Sequence, residues 1–389
     1  MGGGIVQCLS YRCARTPPLV SAVPSALTLR AGPRALALIR ERGLRPDDID
    51  ILPGASGGAK WLAIAGLDRY LFGTFLRPVA VSPSAPSRTR PLHCIGSSIG
   101  SWRIACLAQH DPVAALARGH HAYIYGQRYS HKPGPREVTA VLTQCLDDIL
   151  GDTGVEEILS HPFARLHIIT AQGLGLAASQ RRLVLATSIA LAVSGNLVQR
   201  RLLSLQFRRT VFHAAGEASP FHDLRDLPTV HRALTRDNLR DALIASGSIP
   251  LLVEGARIAG RPNEVHWDGG VLDYHLDLNF GDGDGLVLYP HFYSHVVPGW
   301  FDKGLPWRRA RAKNFERALL IAPSASFVAS LPGGRIPDRR DFYAFPAAER
   351  ERRWQAVLDA SAQLGEELHE LITAGKLADH VHAWGTTND

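Results

Sequence analysis

Five cysteines in 389 residues, with no Cys-x-x-Cys pair among them, rule out a disulfide framework and the spacing of a structural zinc site. The odd set Cys8, Cys13, Cys94, Cys106 and Cys145 reads as reduced thiols in a reducing compartment. No apolar run reaches the ~20 residues that a bilayer crossing needs. The most apolar stretch, Leu183 to Val193, lies between Arg181-Arg182 and Gly195-Asn196 and predicts a buried core helix. The opening residues, Met1 to Cys8, have neither a basic segment nor a sustained apolar one, which argues against a secretory leader. Val6 stands where N-myristoylation at Gly2 would want Ser or Thr. The net charge is +7, yet the basic residues are scattered, with no long Lys/Arg block and no nucleic-acid motif. Nucleic acid is therefore not the expected partner, and an anionic lipid surface suits such a basic exterior better. These absences together point to a cytoplasmic protein that meets membranes, if at all, from the outside.

What the chain does have is enough apolar sequence, 46% of it hydrophobic, to build one large α/β domain or two modest ones. The first 30 residues mix Pro, Ser and Ala without periodicity and read as a loose tail. Gly32 to Gly43 reads as a helix with a glycine stop, and Ile49-Asp50-Ile51-Leu52 as a strand. Ser82 to Pro91 reads as a surface loop. Leu92-His93-Cys94-Ile95, Leu166 to Thr170, Thr210 to His213, Leu286 to Tyr289 and Ala318 to Ile321 are further strand candidates. Asp111-Pro112 has the residue types of a helix N-cap followed by the first helical position. Strands alternating with helical segments argue for an α/β layered domain with a mainly parallel sheet. Residues 31–330 are taken as one catalytic domain, and 331–389 as a helical extension packed on it, with Ala347 to Ala374 its amphipathic part.

Three segments carry chemistry. Gly96-Ser97-Ser98-Ile99-Gly100 closes a strand and opens a helix. On such an elbow the middle serine is pushed outward, and Gly96 and Gly100 remove the side chains that would clash. Ser56-Gly57-Gly58-Ala59-Lys60 also follows a strand and opens a helix, so its N–H groups suit an anion. That anion is either a phosphate or the oxyanion of an acyl-transfer intermediate. The phosphate version lacks its Walker signature, because Trp61 rather than Ser or Thr follows Lys60, and a Rossmann fingerprint is absent too. Asp268-Gly269-Gly270 ends a short alternating segment and can project a carboxylate free of crowding. Taken together, Ser98 is a candidate nucleophile, Asp268 its general base, and the Gly57 and Gly58 amides a candidate oxyanion hole. His275, His291 and His295 lie after Asp268, the chain order Ser, Asp, His of an α/β-hydrolase triad, so that arrangement stays open. Arg200, Arg201, Arg208 and Arg209 among leucines, and Trp300, Phe301 and Trp307 before Arg308, Arg309, Arg311 and Lys313, are residues that a lipid interface would use.

In this order, a glycine-rich loop with a basic residue, Gly-x-Ser-x-Gly and Asp-Gly-Gly resemble the patatin-like phospholipases. Ala245-Ser246-Gly247-Ser248-Ile249-Pro250 is similar to a further stretch of that family. The resemblance spans roughly Ile49 to Asp273. It implies a three-layer α/β/α sandwich with a mainly parallel central sheet and a Ser98–Asp268 dyad that works without histidine. It also implies an oxyanion loop formed by Ser56, Gly57, Gly58 and Lys60, and a phospholipid or other lipid ester as substrate. No metal or organic cofactor is expected. The chain departs from the family pattern twice, with Ser56 in place of the first of three glycines and Trp61 in place of a later one. Two other outcomes are an α/β-hydrolase esterase with a Ser-His-Asp triad, and a lipid-binding scaffold of the same fold without catalysis.

Overall fold

The computed structural model describes residues 24–77, 90–214 and 219–385. Cys8, Cys13, Gly2, most of the expected tail and most of the Ser82 to Pro91 loop lie outside them. Among the described residues, eleven strands form one sheet: β1 (Leu27–Ala31), β2 (Ile49–Gly54), β3 (Leu92–Ser97), β4 (Ala164–Gly173), β5 (Phe207–Ala214), β6 (Thr229–Leu234), β7 (Ala256–Ile258), β8 (Arg261–Asp268), β9 (Leu286–Pro290), β10 (Ala318–Pro323) and β11 (Val381–Ala383). Its order is β11-β1-β10-β9-β2-β3-β4-β5-β6, with β8 on β4 and β7 on β8. The five middle strands, β10 to β4, are all parallel. Burial on both faces explains their near-continuous apolar sequences, such as Ala318–Pro323, buried at every position. Helices pack against this sheet, an α/β arrangement compatible with a three-layer sandwich.

Local sequence accounts for several element ends. The helix Pro33–Arg42 stops at Gly43, whose φ is +76°. Asp111 caps the helix Pro112–His121 by accepting the Val113 and Ala114 N–H groups at 3.1 and 3.0 Å. Three expectations need correction. Residues 27–30, read as tail, belong to β1, pinned between β10 and β11. The stretch 347–374 is two helices, Ala347–Ala360 and Ala362–Thr373, broken at Ser361, whose Oγ accepts the Gly66 N–H at 2.9 Å. Trp354, Leu364 and Leu368 of these helices join the main hydrophobic core, and β11 joins the sheet, so residues 331–385 complete the body of the fold.

The third correction concerns the helix Arg182–Val198. It is not a buried core helix. Leu185, Ser188, Ala192 and Asn196 face inward, onto a second cluster with Phe207, Trp267 and Leu272. Leu183 and Val198 are 83% and 80% exposed, and Leu191 and Leu197 are exposed beside them. Apolar residues all round a helix usually mean burial. Here the inward stripe is made largely of small residues, and the large ones point outward. No helix among the described residues is long and apolar enough to cross a membrane.

Candidate active site

Register brings the three segments together. β2 and β3 are parallel neighbours paired Gly54↔Gly96, so the chain leaves both strands at the same edge of the sheet. This sets residues 55–58 beside Ser98 at the carboxyl ends of the strands, where open α/β sheets bind ligands. β4 then acts as a ruler. β3 pairs with it up to Ser97↔Ile169, and β8 takes over the same strand from the opposite direction at Asp268↔Thr170. Ser97 and Asp268 therefore face consecutive residues of β4. A serine and a carboxylate 170 positions apart in sequence become neighbours through backbone pairing alone.

The elbow is strained as its motif requires. Ser98 has φ +55° and ψ −133°, a region that a non-glycine residue occupies only when its surroundings enforce it. A Cβ at Gly100 would collide with the Gly54 carbonyl oxygen, and one at Gly54 with Gly100. The two glycines thus let the helix Ile99–Leu107 lie directly against the end of β2. Ser246 locks the turn from behind. Its Oγ accepts the Ser98 N–H at 2.9 Å, donates to the Ile169 carbonyl at 2.7 Å and lies 2.8 Å from Ser101 Oγ. Behind the same helix, Arg103 and Asp68 form an internal ion pair at 2.7 Å.

Ser98 Oγ donates a 2.7 Å hydrogen bond to Asp268 Oδ2. Asp268 Oδ1 accepts the Gly270 N–H at 2.7 Å, and the Asp268 N–H donates to the Ser248 carbonyl at 2.9 Å. Both side chains are buried. Burial pushes the Asp268 carboxyl up from 3.8 to about 6, against the opposing pull of the Ser98 hydroxyl, the Gly270 amide, Lys303 and Arg339. A carboxylate so raised is a better proton acceptor than a solvated one and remains ionised at neutral pH. Among the described residues no histidine enters this hydrogen-bonded chain. His275 and His291 are fully buried elsewhere. His275 Nδ1 accepts the Val297 N–H, His291 Nδ1 accepts that of Tyr293, and desolvation holds both rings well below the usual imidazole range.

The glycine loop divides its work. Gly57 and Gly58 line a cleft with Ser98, and neither N–H finds an acceptor among the described residues. Gly58 has φ +55°, and a Cβ on Gly57 would meet the Phe292 ring at 2.6 Å. Ser56 does something different from its expected part in the oxyanion loop. Its N–H is taken by the Tyr274 carbonyl at 2.8 Å and its Oγ donates to Ser97 Oγ at 2.9 Å, so it ties the loop to β3 and leaves no donor for an oxyanion. Lys60 lines the cleft beyond the glycines, and burial lowers its pKa. Trp61 is buried in the core against His120 and Tyr123, with ring centroids 4.6 and 5.6 Å away. It lines no cavity at Ser98 and supports the Tyr123 wall instead.

Two hollows meet at Ser98. One is a chamber of about 640 Å³ walled by Trp102, Tyr123, Val138, Leu142, Ile249 and Phe342, within the ~300–1,000 Å³ typical of small-molecule sites. The other is a cleft of about 200 Å³ that holds Asp268, Tyr274, Lys60, Lys303, Asp338 and Arg339. Lys303, Asp338 and Arg339 carry no local motif, and only the fold brings them to the site.

The basic stripe at 200–209 is only partly a surface. Arg209 is buried, bonding Asp273 at 2.7 Å and Asp226 at 2.9 Å, and Arg200 reaches Asp273 at 3.3 Å. These pairs hold the far end of the Asp268–Asp273 turn. Arg201 remains exposed. Of the later cluster, Arg308 donates to the Asn196 carbonyl and Arg311 to Asp277, whereas Trp307 and Arg309 stay exposed.

No protein-family model, curated protein or solved structure matches this chain. The class that fold and site define is an α/β protein with a serine elbow at the carboxyl edge of its parallel strands, next to a dehydrated carboxylate.

Proposed function

We propose that the protein is a patatin-like lipid acyl hydrolase that cleaves carboxylic esters through an acyl-Ser98 intermediate. The direct Ser98–Asp268 hydrogen bond at 2.7 Å, made by a serine held at φ +55°, carries this reading. Ser98 Oγ attacks the ester carbonyl carbon while Asp268 takes its proton. The carbonyl oxygen becomes an oxyanion facing the Gly57 and Gly58 amides, each donor lowering the barrier by about 3 kcal/mol. Collapse of this tetrahedral species breaks the C–O bond, and the leaving alcohol receives the proton from Asp268. A water molecule then attacks the acyl-enzyme, Asp268 accepts the water's proton, and the second collapse returns that proton to Ser98 and releases the acid.

The chamber beside Ser98 suits an acyl chain, since its walls are mainly aromatic and aliphatic. The direct dyad favours this scheme over a Ser-His-Asp triad, because the carboxylate already occupies the position where an imidazole would sit. Peripheral contact with an anionic membrane is part of the proposal. The outward Leu183, Leu191, Leu197 and Val198 lie between Arg181-Arg182 and Arg201, with charge at both ends of an apolar face as an interfacial helix requires. The test is release of fatty acid from mixed micelles of lipid esters by the protein and by Ser98→Ala. Turnover by the protein and none by the variant is the expected result; equal turnover by both removes Ser98 from the chemistry.

A further inference from the structure

Among the described residues four arginines are buried, Arg103, Arg209, Arg317 and Arg350. Three of them meet a carboxylate closely: Arg103 with Asp68 at 2.7 Å, Arg209 with Asp273 at 2.7 Å and Arg317 with Asp50 at 2.8 Å. Arg350 differs. It is 4% exposed, and its Nη2 lies 3.7 Å from Glu351 Oε1, beyond hydrogen-bond range. Glu351 is already engaged, since its two oxygens accept the Nε and Nη2 groups of Arg128, each at 2.9 Å. Arg350 Nη2 donates to the Gln127 carbonyl at 2.7 Å, and its Nε has no hydrogen-bond partner. The guanidinium carbon sits 4.4 Å from the Phe342 ring centre and 5.2 Å from that of Trp354. Such rings attract a cation but neutralise none of its charge. Desolvation outweighs the pull of Glu351 and lowers the Arg350 pKa. A buried charge so short of counter-charge opposes folding.

Arg350 also lines the chamber at Ser98, and no carboxylate is among the described residues of its wall. Arg128, His131 and Arg339 line it too, but all three are exposed, where solvent screens their charge. We infer that the chamber takes an acyl group whose far end is a carboxylate, paired there with Arg350. The substrate class is then the half-ester of a dicarboxylic acid, with one carboxyl esterified at Ser98 and the other free. This assignment rests on the hydrolase reading for the ester, whereas the carboxylate site itself does not depend on turnover. A planar guanidinium fits a carboxylate better than any other anionic end that a carbon chain commonly carries. The aromatic and aliphatic walls suit the methylenes between the two carboxyls. Without Arg350 the same walls would reject the free carboxylate, because a charge moved out of water needs a partner. The sign of the preference therefore depends on one side chain.

Selectivity measured within one protein cancels any loss of folded material. Monoesters of adipate, suberate and sebacate are compared with hexanoate, octanoate and decanoate esters of the same alcohol. At the best-fitting length the free-carboxyl ester should show kcat/KM about 10-fold above its methyl-ended counterpart. Arg350→Met should lower that ratio about 100-fold and so invert the preference. Arg350→Lys, which keeps the charge but loses the planar fork, should lower it less. In titration calorimetry, suberate should bind the Ser98→Ala protein about 10-fold more tightly than octanoate, and adding Arg350→Met should abolish the difference. The unaltered protein decides the matter even where Arg350→Met does not fold: a preference for the methyl-ended ester at every length overturns the inference. A ratio unmoved in Arg350→Met, or one that falls in Arg339→Ala instead, overturns it as well. If no ester is cleaved yet suberate binds through Arg350, the hydrolase reading fails and the carboxylate site stands. Cleavage of both esters without preference does the reverse.

Discussion

The two hollows that meet at Ser98 differ in the balance of their walls, although Arg339 lines both. The chamber is walled by Trp102, Tyr123, Val138, Leu142 and Phe342, residues that helices bring together by ordinary core packing. The cleft is a third of its size and is ringed by Lys60, Lys303, Arg339 and the Asp338–Arg340 pair. Apolar walls favour a flexible chain by burial area, roughly 0.8 kcal/mol per methylene, and discriminate weakly between neighbouring lengths. Unpaired charges favour a fixed group through Coulomb attraction and discriminate by charge. Ser98 sits on the boundary, and the Asp268 carboxyl beside it is raised by burial against the opposing pull of the Ser98 hydroxyl, the Gly270 amide, Lys303 and Arg339.

Removing the boundary itself should have the largest effect. Ser98→Ala should lower ester turnover by ~10⁴-fold or more, and Asp268→Asn by roughly 10³- to 10⁴-fold, with circular dichroism unchanged in each; near-normal turnover in the second would hand the role of base to another group. Gly57→Ala, which pushes a methyl group into the Phe292 ring and displaces an amide donor, should cost about 10²-fold in kcat with little change in KM. A rise in KM alone would mean that the loop only binds substrate. Acidity gives the next test. Asp268 must be ionised to act as base and its pKa is raised to about 6, so kcat/KM for a neutral ester should fall as pH drops through about 6 and be flat above it. An acid limb near pH 4 would mean a solvated carboxylate. The smallest effect belongs to the chamber. Phe342→Ala should shift preference toward longer acyl chains by only several-fold, measured across a chain-length series.

How much of this was legible in the chain differs between the same two regions. Gly96-x-Ser98-x-Gly100 and Asp268-Gly-Gly are local patterns, because a strained elbow and a carboxylate leaving a strand each constrain their immediate neighbours. Asp111 at its helix cap and Gly43 at a helix stop were readable for the same reason. Lys303 and Arg339 were not, since nothing near them in sequence differs from any surface cation, and only the chain path after β9 and β10 carries them to the cleft. The helix Arg182–Val198 misled through composition: its leucines predict burial, whereas packing went to Ser188, Ala192 and Asn196. Arg209 misled in the opposite direction, a charge read as surface that Asp273 and Asp226 allow to be buried. Composition reports how much is apolar; the direction in which a side chain faces depends on partners far away in sequence.

The most direct test of the Ser98–Asp268 pairing is the rate at which a fluorophosphonate captures Ser98, followed by peptide mass spectrometry as a function of pH. The account predicts capture at Ser98, a rate that rises through about pH 6, and loss of nearly all of that rate in Asp268→Asn. Capture at another residue, or an unchanged rate at Ser98 when Asp268 is replaced, would contradict it.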